Sequence, residues 1–136
     1  MKIEIYDHVD QKEVIDIWQK CGLVTDKNDP VADIIRKTTH SPDLFIVGKI
    51  NGKIIATVMG GYEGRRGWIN LLCVAPSSQR TGHGRMIMDH IENLLFKAGC
   101  PKINLQIRIS NQQAIKFYES LGYSNDHVFS MAKYHK

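Results

Sequence analysis

The sequence predicts an α/β or α+β fold on a mixed sheet, and three observations predict it. Strand-like and helix-like stretches follow in the order strand, two helices, three strands, helix, strand, helix, strand. The dipeptide Asn51-Gly52 joins LFIVGKI to KIIATVMGG, and Asn-Gly supplies the φ > 0 residues of a two-residue type I′ hairpin turn. A helical run separates WINLLCVA from KINLQIRI, and that crossover implies at least one parallel pair. The 136 residues, 43% hydrophobic and 24% charged, suit one globular domain with one core, spanning 1–136.

Each element has a local reason. KIEIYD alternates as a strand does. Asp10 and Glu13 make a D-x-x-E pair resembling a capping box, ahead of the apolar stripe Val14, Ile15, Ile17 and Trp18. Gly22 suits the residue after that helix. Asp29 can cap a second helix with Pro30 in its first position, and Ile34 and Ile35 are expected to face inward. After the hairpin and the polar loop GYEGRRG, WINLLCVA is apolar on nearly every residue and is expected to be buried on both faces. Met86, Ile87, Ile91, Leu94, Leu95 and Ala98 trace the stripe of a long helix, closed by Gly99 and Pro101. KINLQIRI places Ile103, Leu105, Ile107 and Ile109 on one face. Ser110 and Gln113 form an S-x-x-Q box opening a helix through Phe117, Tyr118 and Leu121, and HVFSMAKY reads as a final strand.

Several function classes recede on composition. No apolar run approaches the ~20 residues of a membrane span, and the charged, alternating start is unlike a signal peptide. A cytoplasmic location is the expectation. Cys21, Cys73 and Cys100 are far apart and form no CxxC pair, so neither a disulfide framework nor a zinc site is expected. The six histidines show no ligand-like spacing, so no metal is expected. The net charge of +4 and pI of about 9.0 favour anionic partners. No Lys/Arg run interleaved with aromatics supports nucleic acid.

The stretch SSQRTGHGRMIMDH carries the chemistry. A helix N-terminus leaves about four backbone N–H groups without helical partners, and aligned peptide dipoles add roughly half a positive charge. Glycines at Gly82 and Gly84 permit close approach and φ > 0, and Arg80 and Arg85 flank the site. A Walker loop needs Gly-Lys-Ser/Thr, where His83-Gly84-Arg85 stands. A dinucleotide fingerprint needs a third glycine, where Ile87 stands. Spacing alone leaves two readings open: an anion cradle, or a helix entry without a ligand.

Gln79-Arg80-Thr81-Gly82-His83-Gly84 resembles the Q/R-x-x-G-x-G/A signature of the GCN5-related N-acetyltransferases (GNAT). Leu72-Cys73-Val74-Ala75-Pro76 resembles the strand end before that loop. Ser110-Asn111 with Ala114 through Tyr123 resembles the family's N-x-x-A-x-x-x-Y-x-x-x-G-F/Y segment. Asn28-Asp29-Pro30, Val58 to Tyr62 and Gly99 to Ile103 resemble the small bacterial YpeA-type members. The resemblance implies a single domain with a mixed, mostly antiparallel twisted sheet, a splayed parallel strand pair and about four helices. It implies acetyl-CoA as co-substrate and an amine acceptor, with no metal, nucleic acid or membrane, and it admits a homodimer through late strands.

It also implies roles. The amides of Gln79, Arg80, Thr81, Gly82, His83, Gly84 and Arg85 would bind the pyrophosphate, and the backbone of Leu72, Cys73 and Val74 would pair with the pantetheine arm. The thioester would lie near Asn70 to Leu72. Asn111 matches the residue that contacts the CoA arm, and Tyr118 matches the acid that protonates the leaving thiolate. Core packing for Tyr118 and helix-start polarity for Asn111 are the competing readings. The base is where the match departs. Relatives that acetylate ribosomal proteins carry a Glu where Gln106 stands, and histone-type members carry one in the region of Trp68 and Asn70. Gln106 does not serve as a base. Glu63, an ordered water or an amine arriving neutral are the alternatives. Trp18, Asp26, Asn28 and Asp29 lie where the family recognises its acceptor. The expected function is acetyl-CoA-dependent N-acetyl transfer to a primary amine. The alternatives are a non-catalytic acyl-CoA-binding module and a basic nucleic-acid-binding domain.

Overall fold

A computed structural model describes residues 1–136. In chain order the elements are β1 (Lys2–Ile5), α1 (Gln11–Lys20), α2 (Pro30–His40), β2 (Phe45–Ile50), β3 (Lys53–Tyr62), β4 (Gly67–Val74), α3 (His83–Lys97), β5 (Ile103–Leu105) and α4 (Gln112–Ser120). The sheet order is β1-β2-β3-β4-β5. The first four strands pair antiparallel in succession. β4 and β5 run parallel across the α3 crossover, so the sheet is mixed as expected. Contacts gather the chain into two compact units, Met1–Asn104 and Leu105–Lys136.

In the first unit, Asn51 (φ 52) and Gly52 (φ 75) both take the left-handed conformation that the β2–β3 turn demands. Asp29 accepts from Val31 N–H at 3.1 Å and Ala32 N–H at 3.2 Å, with Pro30 opening α2. α1 and α2 set Val14, Ile17, Trp18 and Ile34 against Phe45, Val47, Met59 and Cys73. α3 buries Ile87, Met88, Ile91 and Leu95. It approaches β3 at Gly60, where a Cβ would stand 2.7 Å from Ile91 Cδ1.

Several local expectations are corrected. The reciprocal acidic cap sits three residues upstream: Asp7 accepts from Val9 N–H and Asp10 from Asp7 N–H, around a single 3-10 turn. Glu13 instead accepts from Ile54 N–H at 3.1 Å, tying α1 to β3. Ile34 is buried but Ile35 is exposed, because neighbours on a helix diverge by roughly 100°. On α3, Ile87, Ile91 and Leu95 of the expected stripe are buried, but Met86 and Ala98 are exposed and Met88 takes the inward position. β4 is not buried on both faces: Gly67, Ile69 and Cys73 point inward, while Trp68 and Asn70 are exposed.

In the second unit, Asn111 rather than Ser110 caps α4, accepting from Ala114 N–H at 3.1 Å. The strand within KINLQIRI stops at Leu105, and Ile109 is 89% exposed. HVFSMAKY forms no strand. Alternation decides which face a residue takes once paired, not whether a partner edge is available.

Candidate active site

In the first unit, the end of β4 leads directly into the glycine loop. Pro76–Ser78 make one 3-10 turn, Gln79 is extended, and Arg80 (φ 64) and Gly82 (φ 87) are left-handed. Two side chains fold the loop back on itself: Gln79 Nε2 donates to Val74 O at 2.9 Å, and Thr81 Oγ1 donates to Ser78 O at 2.8 Å. Gln79 therefore uses its side-chain amide to hold the loop. Gly82 is the N-cap of α3 and brings no capping side chain. The first intrahelical bond is Met86 N–H to Gly82 O at 3.1 Å. The amides ahead of it, those of His83 and Gly84 among them, face out of the helix start. Arg80 and Arg85 are exposed at its rim. His83 Nδ1 is shielded from solvent and has no hydrogen-bond partner. Open amides, an N-cap without a side chain and the helix dipole fit a phosphate or pyrophosphate.

The strand feeding this cradle is irregular. Thr57 pairs with Cys73 but Met59 pairs with Asn70, so Val58 faces both Leu71 and Leu72 across a β-bulge. Leu71 has φ 51. Its carbonyl accepts from Thr57 Oγ1 at 3.1 Å, and Thr57 Oγ1 accepts from Trp18 Nε1 at 2.9 Å. Trp18, expected near an acceptor, is instead wholly buried. Cys73 turns its thiol inward, donating to Ile17 O at 3.6 Å. Cys21 Sγ donates to Val74 O at 3.3 Å. The nearness of the two thiols, then burial, pushes Cys73 up, and the same neighbour lowers Cys21. What Leu72 and Cys73 offer a ligand is backbone, whereas the Val74 carbonyl already accepts from Gln79 and Cys21.

The remaining first-unit candidates have structural partners. Asn28 Oδ1 accepts from Thr25 N–H at 2.8 Å and its Nδ2 donates to Leu23 O at 3.2 Å, which stiffens the α1–α2 link. Asp29 is the α2 cap, and Asp26 is exposed. Glu63 caps the β3–β4 turn, accepting from the N–H groups of Arg66 and Arg65. Those bonds hold its carboxyl below the usual range and make it a weaker base. It also sits at the far end of β4 from the cradle, roughly 23 Å along the strand.

In the second unit, Asn111 and Tyr118 occupy the N-cap and the latter half of α4. Asn111 spends its side-chain oxygen on the cap. Tyr118 is half-buried, with its ring edge-on to Phe117 at 5.2 Å and Tyr123 at 5.7 Å. Burial pushes its phenol up to about 12, so it is protonated at neutral pH and able to donate. Gln106 Nε2 donates to Ser130 Oγ. No three His, Cys, Asp or Glu side chains gather as a metal site, and no helix is long and apolar enough to cross a membrane.

The sequence pattern of the acetyltransferase (GNAT) family matches residues 11–123. An acetyltransferase of Sodalis glossinidius is 40% identical over 134 residues, covering 98% of this chain and 94% of that protein. Among solved structures, PH1933 from Pyrococcus horikoshii OT3 superposes with a TM-score of 0.80 at 23% identity, covering 95% of this chain and 92% of that one. Chaetomium thermophilum Naa20, in complex with a bisubstrate analogue, superposes with a TM-score of 0.75 at 25% identity, covering 91% of this chain and 71% of that one.

Proposed function

The chain belongs to the acetyltransferase (GNAT) family, and on that premise we propose that it moves an acetyl group from acetyl-CoA to a primary amine of a small molecule or protein. The carrying observation is the cradle: a left-handed, side-chain-free N-cap at Gly82 opening α3 directly after a bulged strand. The amides of Gln79 to Arg85 hold the pyrophosphate, and the backbone of Leu72, Cys73 and Val74 receives the pantetheine amides as an added strand edge. Acetyl-CoA supplies an activated thioester, which a neutral amine attacks directly while CoA leaves as a thiolate. Tyr118, kept protonated by burial, donates to that sulfur. Asn111 contacts the CoA arm with what its cap leaves free. We take residues 1–136 as one domain, cytoplasmic, with no nucleic-acid, membrane or metal partner, and with a homodimer open.

A second reading has its own observation. Gln106 has no basic group and Glu63 is held by its turn, so neither position readily supplies a base. Under that reading the chain binds acyl-CoA without turning it over. The test is incubation with acetyl-CoA and a broad panel of amines, following free thiol, beside calorimetric titration of acetyl-CoA. Thiol release with at least one amine is the expected result. Binding without release supports the second reading, and neither binding nor release overturns both.

A further inference from the structure

Within the buried face beneath α1, one polar side chain has no role in the reading above. Thr57 and Trp18 are each 0% exposed, and Thr57 and Asp10 are the two buried polar or charged residues of the chain. A hydroxyl at such depth is costly unless both its functions are satisfied. Here they are: the Trp18 indole N–H donates to it at 2.9 Å, and it donates to the Leu71 carbonyl at 3.1 Å. The acceptor is the backbone of the bulge, at a leucine with φ 51. A side chain with a Cβ disfavours that conformation, so something must hold it.

We propose that Trp18 and Thr57 are positioning residues, a two-step hydrogen-bond relay that fixes the β4 bulge and thereby the direction of the Leu72 N–H. The Leu71–Leu72 peptide is trans, so its C=O and N–H point in opposite directions. Pinning the carbonyl on Thr57 turns the Leu72 N–H away from Thr57. This inference rests on the proposed function, which lays the thioester along Asn70 to Leu72. There a fixed backbone donor is a preorganised partner for a carbonyl oxygen that gains negative charge under attack. The indole orients the hydroxyl: while Thr57 Oγ1 accepts from Trp18, its proton is directed to Leu71. A single hydroxyl in the core thus sets the geometry of a backbone group.

Three variants test this in the full chain: Thr57→Val, which keeps shape and removes the hydroxyl, Thr57→Ser, which restores it, and Trp18→Phe, which removes the indole donor. Circular dichroism and melting confirm that each folds. The Leu72 amide resonance is followed in all three by ¹H–¹⁵N NMR, and kcat and the acetyl-CoA Kd are measured beside it. Thr57→Val is expected to shift the Leu72 resonance and speed its exchange. It is expected to lower kcat by about tenfold to a hundredfold with the Kd nearly unchanged, since small misplacements cost that much. Thr57→Ser is expected to restore both, and Trp18→Phe to fall between. An unmoved Leu72 resonance in folded Thr57→Val overturns the relay, as does an unchanged kcat. If the wild type turns over no amine while Thr57→Val still moves Leu72, the acetyl-transfer reading fails and the relay stands as what shapes the strand.

Discussion

At the scale of single residues, Tyr118 makes the sharpest commitment. Its folded pKa, about 12, lies above the ordinary 10.0 because burial disfavours the phenolate. The sign follows: the stability this group contributes is complete below about pH 10 and is lost as pH rises through about 12. The same shift keeps the acid available while the acceptor amine loses its proton. We therefore expect kcat/KM to rise with pH up to the pKa of the amine, with no descending limb from Tyr118 below about pH 10. Tyr118→Phe is expected to lower kcat by about a hundredfold or more, as loss of a general acid does, with little change in acetyl-CoA affinity. A pH–rate profile of both proteins checks this. A wild-type descending limb near neutrality that disappears in the Phe variant, or equal loss of rate and affinity, contradicts the assignment.

At the scale of elements, the start of α3 is the part on which binding depends. Gly82 has φ 87, and a Cβ there would meet nothing within 4 Å. The penalty of Gly82→Ala is therefore conformational rather than steric, about 1–2 kcal/mol. We expect a lower melting temperature and weaker acetyl-CoA binding from that substitution, read by thermal denaturation and calorimetry. An unchanged Kd would remove Gly82 from the cradle. This element was legible in the sequence because glycine announces a positive φ, as Asn51-Gly52 and Asp29-Pro30 announced their turn and cap. The bulge was not legible. Leu71 carries no local sign of a left-handed backbone, and what holds it, Thr57 and Trp18, is distant in the chain. The one hint was a threonine inside an apolar strand. The expected cap, Asp10 with Glu13, and the observed one, Asp7 with Asp10, have the same spacing. Only the contact of Glu13 with Ile54 N–H separates them. The final strand failed for the same kind of reason, since alternation in HVFSMAKY names no partner.

At the scale of the whole molecule, the distribution of burial bears on dynamics. Every buried apolar side chain, from Tyr6 to Cys100, lies in the unit Met1–Asn104, and none lies in Leu105–Lys136. Local opening is cheapest where few apolar groups are buried, and functional segments are often drawn from that end. The amides of α4, which carries Tyr118, are therefore expected to exchange with solvent faster than those of α3, whose inner face is fully buried. Hydrogen-exchange mass spectrometry of the full chain measures this directly, and equal protection of the two helices would contradict it. Added acetyl-CoA turns the same measurement into a map. A ligand at a hundred times its Kd stabilises what it binds by about 2.7 kcal/mol. Protection gained at residues 79–85 reports the phosphate cradle, and protection gained at 111–118 reports Asn111 and Tyr118 separately. Slowing at the first stretch alone would keep the chain as a CoA binder while removing Tyr118 from the chemistry.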